Sequence, residues 1–251
     1  MSERVCIITG AGQGIGRAMA LHFAGHGMRV AIAEQNAANA AAVAAEITAA
    51  GGEASAIPVD VTDPDGVRAM VERTRQQFGR IDVLINNARW TGLAPTQFQD
   101  ISDADWRRAL DVNITGAFNC ARAIVPFMIS AGWGRIINMS SATVRQPPSR
   151  PYVHYITSKA ALIGMTRALA KELGTHGITV NALLPGSIET GVARPNPVTT
   201  EERAMRVKAG QAIPHVLQSG DLAGAAFFLA SEEAAFITGQ SIAVDGGMTF
   251  G

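Results

Sequence analysis

The chain has 251 residues, 47% of them hydrophobic and 17% charged, and its Lys plus Arg count equals its Asp plus Glu count. That length suits one α/β domain with a sizeable core, and a formal net charge of zero provides no broad field for nucleic acid or an anionic membrane. Cys6 and Cys120 sit in apolar runs and are read as buried free thiols rather than a disulfide framework, as in a reducing cytoplasm.

The opening "MSERVCIITG" shows no basic segment followed by a long apolar one, so no signal peptide is expected. No apolar run approaches the roughly 20 residues of a membrane span. The expectation is a soluble cytoplasmic protein.

Along the chain, "VCIITG" reads as a buried strand and "GIGRAMALHFAGHG" as a helix ending at glycine. "RVAIAE" is the next strand, then the Ala-rich helix "NAANAAAVAAEITAAGG". "ASAIPVDV", a helix over about 64–78, and the strand "IDVLINNA" follow. A long helix is predicted over about 103–128, "GRIINMSS" is a strand, and a helix runs from near Tyr155 to about Gly174. "ITVNALLPG" and "QSIAVDGG" are the last strands, separated by a helix over about 221–231. Strands alternating with helices, with continuous apolar runs, predict an α/β fold with a mostly parallel sheet covered on both faces. No repeat or linker divides residues 1–251. Segments 143–151 and 191–208 resist assignment. Both follow strand C-terminal ends, where open α/β sheets place their ligand crevice.

"TGAGQGIG" at 9–16 joins the first strand to the first helix. Gly10 permits a tight turn, while Gly14 and Gly16 permit close approach of backbone and helix. The helix N-terminus then offers N–H groups to a pyrophosphate. Glycines also serve purely steric turns, and the strand–helix setting favours the nucleotide reading. Glu34 ends the second strand, where a carboxylate would accept from an adenosine ribose and repel the extra phosphate of NADP. Neither Gln13 nor Gln35 supplies positive charge, so the expected cofactor is NAD. The plainer reading leaves Glu34 as a solvated strand end. Asp60 has two open readings, the adenine edge or loop capping, with Asp63 before Pro64 a helix N-cap nearby.

Tyr152 and Tyr155, the only tyrosines, fall in "PYVHYITSK". Lys159 lies four residues after Tyr155, on the same helix face. A free phenol titrates near pH 10, and a neighbouring ammonium favours its phenolate, which makes a proton donor and acceptor at ordinary pH. Taken alone, the pair also reads as an ordinary helix-surface contact. Ser140 and Ser141, ending "GRIINMSS", offer a hydroxyl to a substrate oxygen. Asn113 sits mid-helix, where asparagine is a mediocre former, either to bend the helix, to carry a water, or as a satisfied buried amide.

Together "TGAGQGIG", "NNA" at 86–88, Asn113, Ser141, "YITSK" and "PGSIET" at 185–190 resemble the short-chain dehydrogenase/reductase family over nearly the whole chain. The resemblance implies a single-domain, Rossmann-like, doubly wound parallel sheet of seven strands, commonly in a homotetramer. It makes Ser141 the substrate-orienting residue, Tyr155 the general acid/base, Lys159 its tuner and a ribose ligand, and Asn113 the holder of a relay water. Ile15, Val61, Asn87, Ala88, Pro185 and Gly186 are further expected members of the cofactor site, with Ile188 and Thr190 at the carboxamide. The family usually has glycine after "NNA"; here Arg89 and Trp90 follow, and Arg89 either reshapes the substrate entrance, contacts a phosphate, or points to solvent. Arg145 or Arg150 is a candidate for an anionic substrate. Trp90, Val144, Tyr152, His154, Leu184, Val192 and Met205 are candidate apolar walls, and 191–208 a candidate lid. No His, Cys and carboxylate cluster has metal-ligand spacing.

"HYITSK" and "FITGQSIAVDGGM" are similar to NAD-dependent secondary-alcohol dehydrogenases of the 1-phenylethanol type. The expected reaction is hydride transfer between NAD(H) and a hydrophobic or aromatic alcohol or ketone. The alternatives are an NADPH-dependent 3-oxoacyl thioester reductase, disfavoured by Glu34, and a non-catalytic NAD-binding sensor or scaffold.

Overall fold

A computed structural model describes residues 3–91, 96–149, 151–189, 205, 207 and 209–250. Among these residues the strands are β1 (Val5–Thr9), β2 (Arg29–Glu34), β3 (Ala54–Pro58), β4 (Val83–Asn86), β5 (Gly134–Met139), β6 (Ile178–Pro185), β7 (Ile188–Glu189), β8 (Leu217–Gln218) and β9 (Ser241–Val244). The helices are α1 (Gly14–Gly25), α2 (Ala37–Ala49), α3 (Pro64–Phe78), α4 (Asp103–Leu110), α5 (Gly116–Ala131), α6 (Val153–Leu173) and α7 (Ser219–Ala230). Seven strands make one sheet in the order β3-β2-β1-β4-β5-β6-β9, parallel at every pairing. The chain reverses direction across the sheet between β1 and β4, and such a switch opens a crevice beyond the strands' carboxyl ends.

Successive β1 residues serve opposite faces. Cys6 and Ile8 join Met19 and Phe23 of α1 and Leu222 and Ala226 of α7. Ile7 joins Val67 and Met70 of α3 and Ile124 of α5 on the other side. Burying each large apolar side chain contributes about 1.5–3 kcal/mol, so neither face of the sheet is left to water. Both cysteines are free and buried. Burial pushes the Cys6 thiol well up, with Asp82 adding to it, and pushes Cys120 up to about 12, so neither is a thiolate at neutral pH.

Local signals account for the helix ends. The Asp63 side chain accepts from Asp65 N at 3.0 Å, Pro64 follows in the first turn, and α3 stops at Gly79 with φ 79°. The continuous helix Asp103–Ala131 is long and apolar enough in composition to cross a membrane. Its Cys120, Ala121, Ile124 and Met128, however, pack into the core beneath the sheet. Between α4 and α5 the turn Asp111–Thr115 is a π turn, with Gly116 N reaching back to Asp111 O.

A polar thread crosses the core under the carboxyl ends. Asn86 Nδ2 on β4 donates to Asn138 Oδ1 on β5 at 2.9 Å, and Asn138 Nδ2 donates to Thr166 Oγ1 on α6 at 2.9 Å.

Candidate active site

The turn after β1 is shaped for an anion. Gly10 and Gly14 have φ 63° and 56°, in the region that favours glycine. A Cβ on Gly16 would come within 2.7 Å of Asn87 Nδ2 and 2.8 Å of Ala11 Cα, so only glycine lets α1 approach this closely. Gln13 precedes α1 without a side-chain cap, and the first turn carries no acidic residue. Its N–H groups are therefore left for a ligand of negative charge.

This turn opens on a crevice of about 310 Å³ lined by Gly10, Gln13, Gly14, Ile15 and Gly16 from the loop and by Glu34, Asp60, Val61, Asn87, Ala88, Arg89 and Trp90 around it. Twelve of the expected residues thus meet in one place. Glu34 accepts from Gly12 N at 3.2 Å and from Asn36 N at 3.1 Å, so its carboxylate also pins the glycine loop. Asp60 caps its loop and leaves the adenine-edge reading open. Its Oδ1 accepts from Thr62 N at 2.9 Å and Thr62 Oγ1 at 2.7 Å, Gln35 Nε2 donates to its Oδ2 at 3.0 Å, and it still faces the crevice. Burial pushes its carboxyl up, but the Thr62 hydrogen bonds and Arg108 together bring it below its ordinary value.

The residues expected to handle the proton gather where β5 ends against α6. Lys159 is 1% exposed, its Nζ donates to Met139 O at 2.7 Å, and it lies 5.8 Å from the centre of the Tyr155 ring. Burial first, and the charge of Arg89 second, bring Lys159 down to about 7. The adjacent serines divide their work. Ser140 Oγ donates to Lys159 O at 2.8 Å. Ser141 Oγ accepts from Thr143 N at 3.2 Å and Thr143 Oγ1 at 2.8 Å and, among the described residues, donates to nothing. Its hydrogen is left for a substrate oxygen.

Asn113 lies within the π turn, 2% exposed. Its Oδ1 accepts from Trp90 N at 2.6 Å, and its Nδ2 donates to Trp90 O at 2.9 Å and Ser158 Oγ at 2.8 Å. Ser158 Oγ donates in turn to Tyr155 O at 2.7 Å. Both amide hydrogens are used, so the side chain works as a clamp. Ser158 was not singled out in the sequence, although its place three residues after Tyr155 puts it on the same helix face. Arg108 and Thr91 also line the crevice unannounced.

Around these residues lies an aromatic group. Tyr152 meets Tyr155 edge-on at 6.2 Å, and Trp90 lies 5.7 Å from His154. Val144 closes the short 3-10 turn after Ser141. Gly186 and Ile188 follow β6, Gly186 N donating to Val244 O at 3.0 Å and Ile188 pairing with Leu217. Pro185 ends β6 opposite Val244. Three expectations change. Leu184 is fully buried in β6 and belongs to the core rather than to a wall. Arg145 Nη2 donates to Ser241 O at 2.7 Å, so this guanidinium is tied to the end of the sheet. Met205 is 62% exposed. Thr190, Val192, Arg150 and all of the candidate lid except residues 205 and 207 lie outside the described residues.

A family model described as enoyl-(acyl carrier protein) reductase matches residues 10–249. A 3-oxoacyl-[acyl-carrier-protein] reductase of Synechocystis sp. is 39% identical over 99% of this chain and 98% of its own length, and one of Thermotoga maritima is 37% identical over 99% and 98%. A crystal structure of a Brucella melitensis 3-oxoacyl-[acyl-carrier protein] reductase with bound NAD superposes with a TM-score of 0.90 at 36% identity, covering 100% of this chain and 92% of that one. A short-chain type dehydrogenase/reductase of Mycobacterium marinum superposes with a TM-score of 0.91 at 34% identity, covering 100% and 97%. Sequence and shape therefore agree that the chain belongs to the short-chain dehydrogenase/reductase family, as an oxidoreductase that binds a nicotinamide cofactor.

Proposed function

We propose that the chain interconverts a carbonyl and a secondary alcohol with NAD(H), and that the carbonyl is the 3-oxo group of an acyl thioester. The observation that carries the chemistry is the buried ammonium of Lys159 beside the Tyr155 ring, held at the end of β5 by Met139 O. The substrate class is supported by the relatives, which are named as 3-oxoacyl reductases. This favours the alternative from the sequence over the simple secondary alcohol.

The uncapped α1 N-terminus and the glycine turn fit a dinucleotide diphosphate. Glu34 supports NAD over NADP, because a carboxylate at the end of β2 would face the added phosphate. When bound, the nicotinamide supplies the hydride or accepts it. Tyr155 gives its phenolic proton to the carbonyl oxygen in reduction and takes it back in oxidation. Ser141 donates a hydrogen bond to that oxygen. Lys159 stabilises the phenolate left on Tyr155. Asn113 keeps the start of α6 and the Trp90 loop in register, so these groups meet one oxygen.

A second reading, a hydrophobic or aromatic ketone, is favoured by the aromatic side chains Trp90 and Tyr152 beside the site. Oxidation of NADH and NADPH, followed separately with an acetoacetyl thioester and with acetophenone, distinguishes the two. NADH oxidation with the thioester is expected, abolished by Tyr155→Phe. Turnover confined to acetophenone replaces the thioester reading by the second, and a Phe variant as fast as wild type ends the mechanism. The exposed Phe118, Phe228 and Phe236 suit burial against further copies of the chain. Light scattering at the mass of four chains is the outcome expected of a homotetramer.

A further inference from the structure

Arg89 passes no proton in the chemistry proposed above, yet its backbone starts beside the anion-binding turn. The Asn87 side chain donates to Thr9 O at 2.9 Å and Gly10 O at 3.0 Å, and the amides of Asn87 and Ala88 both donate to Thr9 Oγ1 at 3.0 Å. A Cβ on Gly10 would lie 2.9 Å from Ala88 Cα. Arg89 follows at once, and its other neighbour, Trp90, is gripped by Asn113. The backbone is therefore fixed on both sides of it.

The side chain is exposed and lines the same crevice as Gly10, Gln13, Gly14 and Ile15. Among the described residues no carboxylate pairs with it. Its charge is also felt at Lys159, which it helps to push down. Arg89 thus shares the crevice with the glycine turn, and its charge reaches as far as Lys159. In a nicotinamide dinucleotide the diphosphate joins the parts that would lie at these two ends.

We propose that Arg89 binds the diphosphate of the dinucleotide, sharing the anion with the N–H groups at the start of α1. A guanidinium presents donors in a planar fork that matches two phosphate oxygens. This assignment rests on the nicotinamide-cofactor reading of the crevice.

Calorimetric titration of wild type, Arg89→Met and Arg89→Lys with NAD and ADP-ribose tests it, with adenosine read by displacement. The methionine keeps an apolar stem and loses the charge together with its hydrogen-bond donors. Arg89→Met is expected to weaken NAD and ADP-ribose about tenfold, as for one lost charge-assisted hydrogen bond, and to leave adenosine unchanged. The loss shrinks with added salt, and Arg89→Lys restores part of it. Unchanged ADP-ribose binding, or an equal loss for adenosine, overturns the proposal. So does unchanged NAD binding with a raised KM for an anionic substrate, which would assign the cation to the substrate. A wild-type protein that binds no dinucleotide removes the cofactor reading and this proposal together, whereas tight wild-type binding that Arg89→Met preserves removes only the role of Arg89.

Discussion

The side-chain amide of Asn113 holds Trp90 by both of its backbone polar groups, accepting from its N–H at 2.6 Å and donating to its carbonyl at 2.9 Å. One residue of a helix thereby fixes the loop that follows β4. Asn113→Leu removes both bonds and the one to Ser158. Leaving buried polar groups unpaired costs about 1–3 kcal/mol each, and part of the cost is relieved where water reaches the loop. Urea unfolding should show a loss of roughly 2–3 kcal/mol, with a changed Trp90 fluorescence in the native state. An unchanged midpoint would mean that the loop holds its shape without the clamp.

Lys159 makes stability depend on pH above neutrality. Its folded value is about 7 against an ordinary 10.5. Between these values the unfolded chain binds the extra proton, so stability rises with pH across the window. Below about pH 7 the buried ammonium is charged and its desolvation cost is fully present. Wild-type melting temperature, corrected by that of Lys159→Met, should therefore climb from pH 7 towards 10. A flat difference between the two proteins would contradict the burial of this charge.

His22 acts at the acid end. It lies between Phe227 and His26, with ring centres at 5.5 and 4.4 Å. Burial first, and His26 second, lower it from 6.5. The native state then binds fewer protons than the unfolded one, so stability is lost as pH falls below 6.5 through the lowered value. His26→Gln removes the repulsion and should lessen that loss in thermal melts between pH 7 and 5. Equal slopes would show that His26 contributes nothing.

Glu34 should govern the choice between cofactors. Glu34→Ala removes the carboxylate that would face a 2′-phosphate and also frees Gly12 N and Asn36 N. NAD binding should weaken about tenfold, some 1.4 kcal/mol, while NADPH binding holds or improves. Parallel loss of both cofactors would make Glu34 a loop staple only.

The parts of the fold legible in the sequence are those with local causes. "RVAIAE" reads as a strand and is β2, Arg29–Glu34, because a strand buried on both sides is a continuous apolar run. The helix expected over about 64–78, with Asp63 before Pro64 as its cap, is α3 with those limits, and Gly79 ends it. β7 and β8 have two residues each, paired across a long stretch of chain, and no local pattern announces them. The mid-helix asparagine hinted at a special turn at Asn113. The π geometry itself depends on tertiary neighbours, since a Cβ on Gly116 would lie 2.5 Å from Val61 Cγ2 and Trp90 docks on the amide. In the site, spacing alone joined Tyr155 to Lys159. The resemblance already selects Ser141 over Ser140, and the bend after β5 supplies the physical reason, since it turns the Ser140 hydroxyl to the backbone of α6 and leaves that of Ser141 free to donate.

The Asn86–Asn138–Thr166 thread gives α6 an index mark. Thr166 and Lys159 lie seven residues apart, two turns on one face, and each is bonded to β5, at Asn138 and Met139. Pinned at two heights, the helix can neither rotate nor slide along its axis without breaking a buried bond. Its outward side is thereby released from any duty of alignment. Residues there can drift, be redesigned or meet another protein while the distance from Lys159 to the end of the sheet stays as it was.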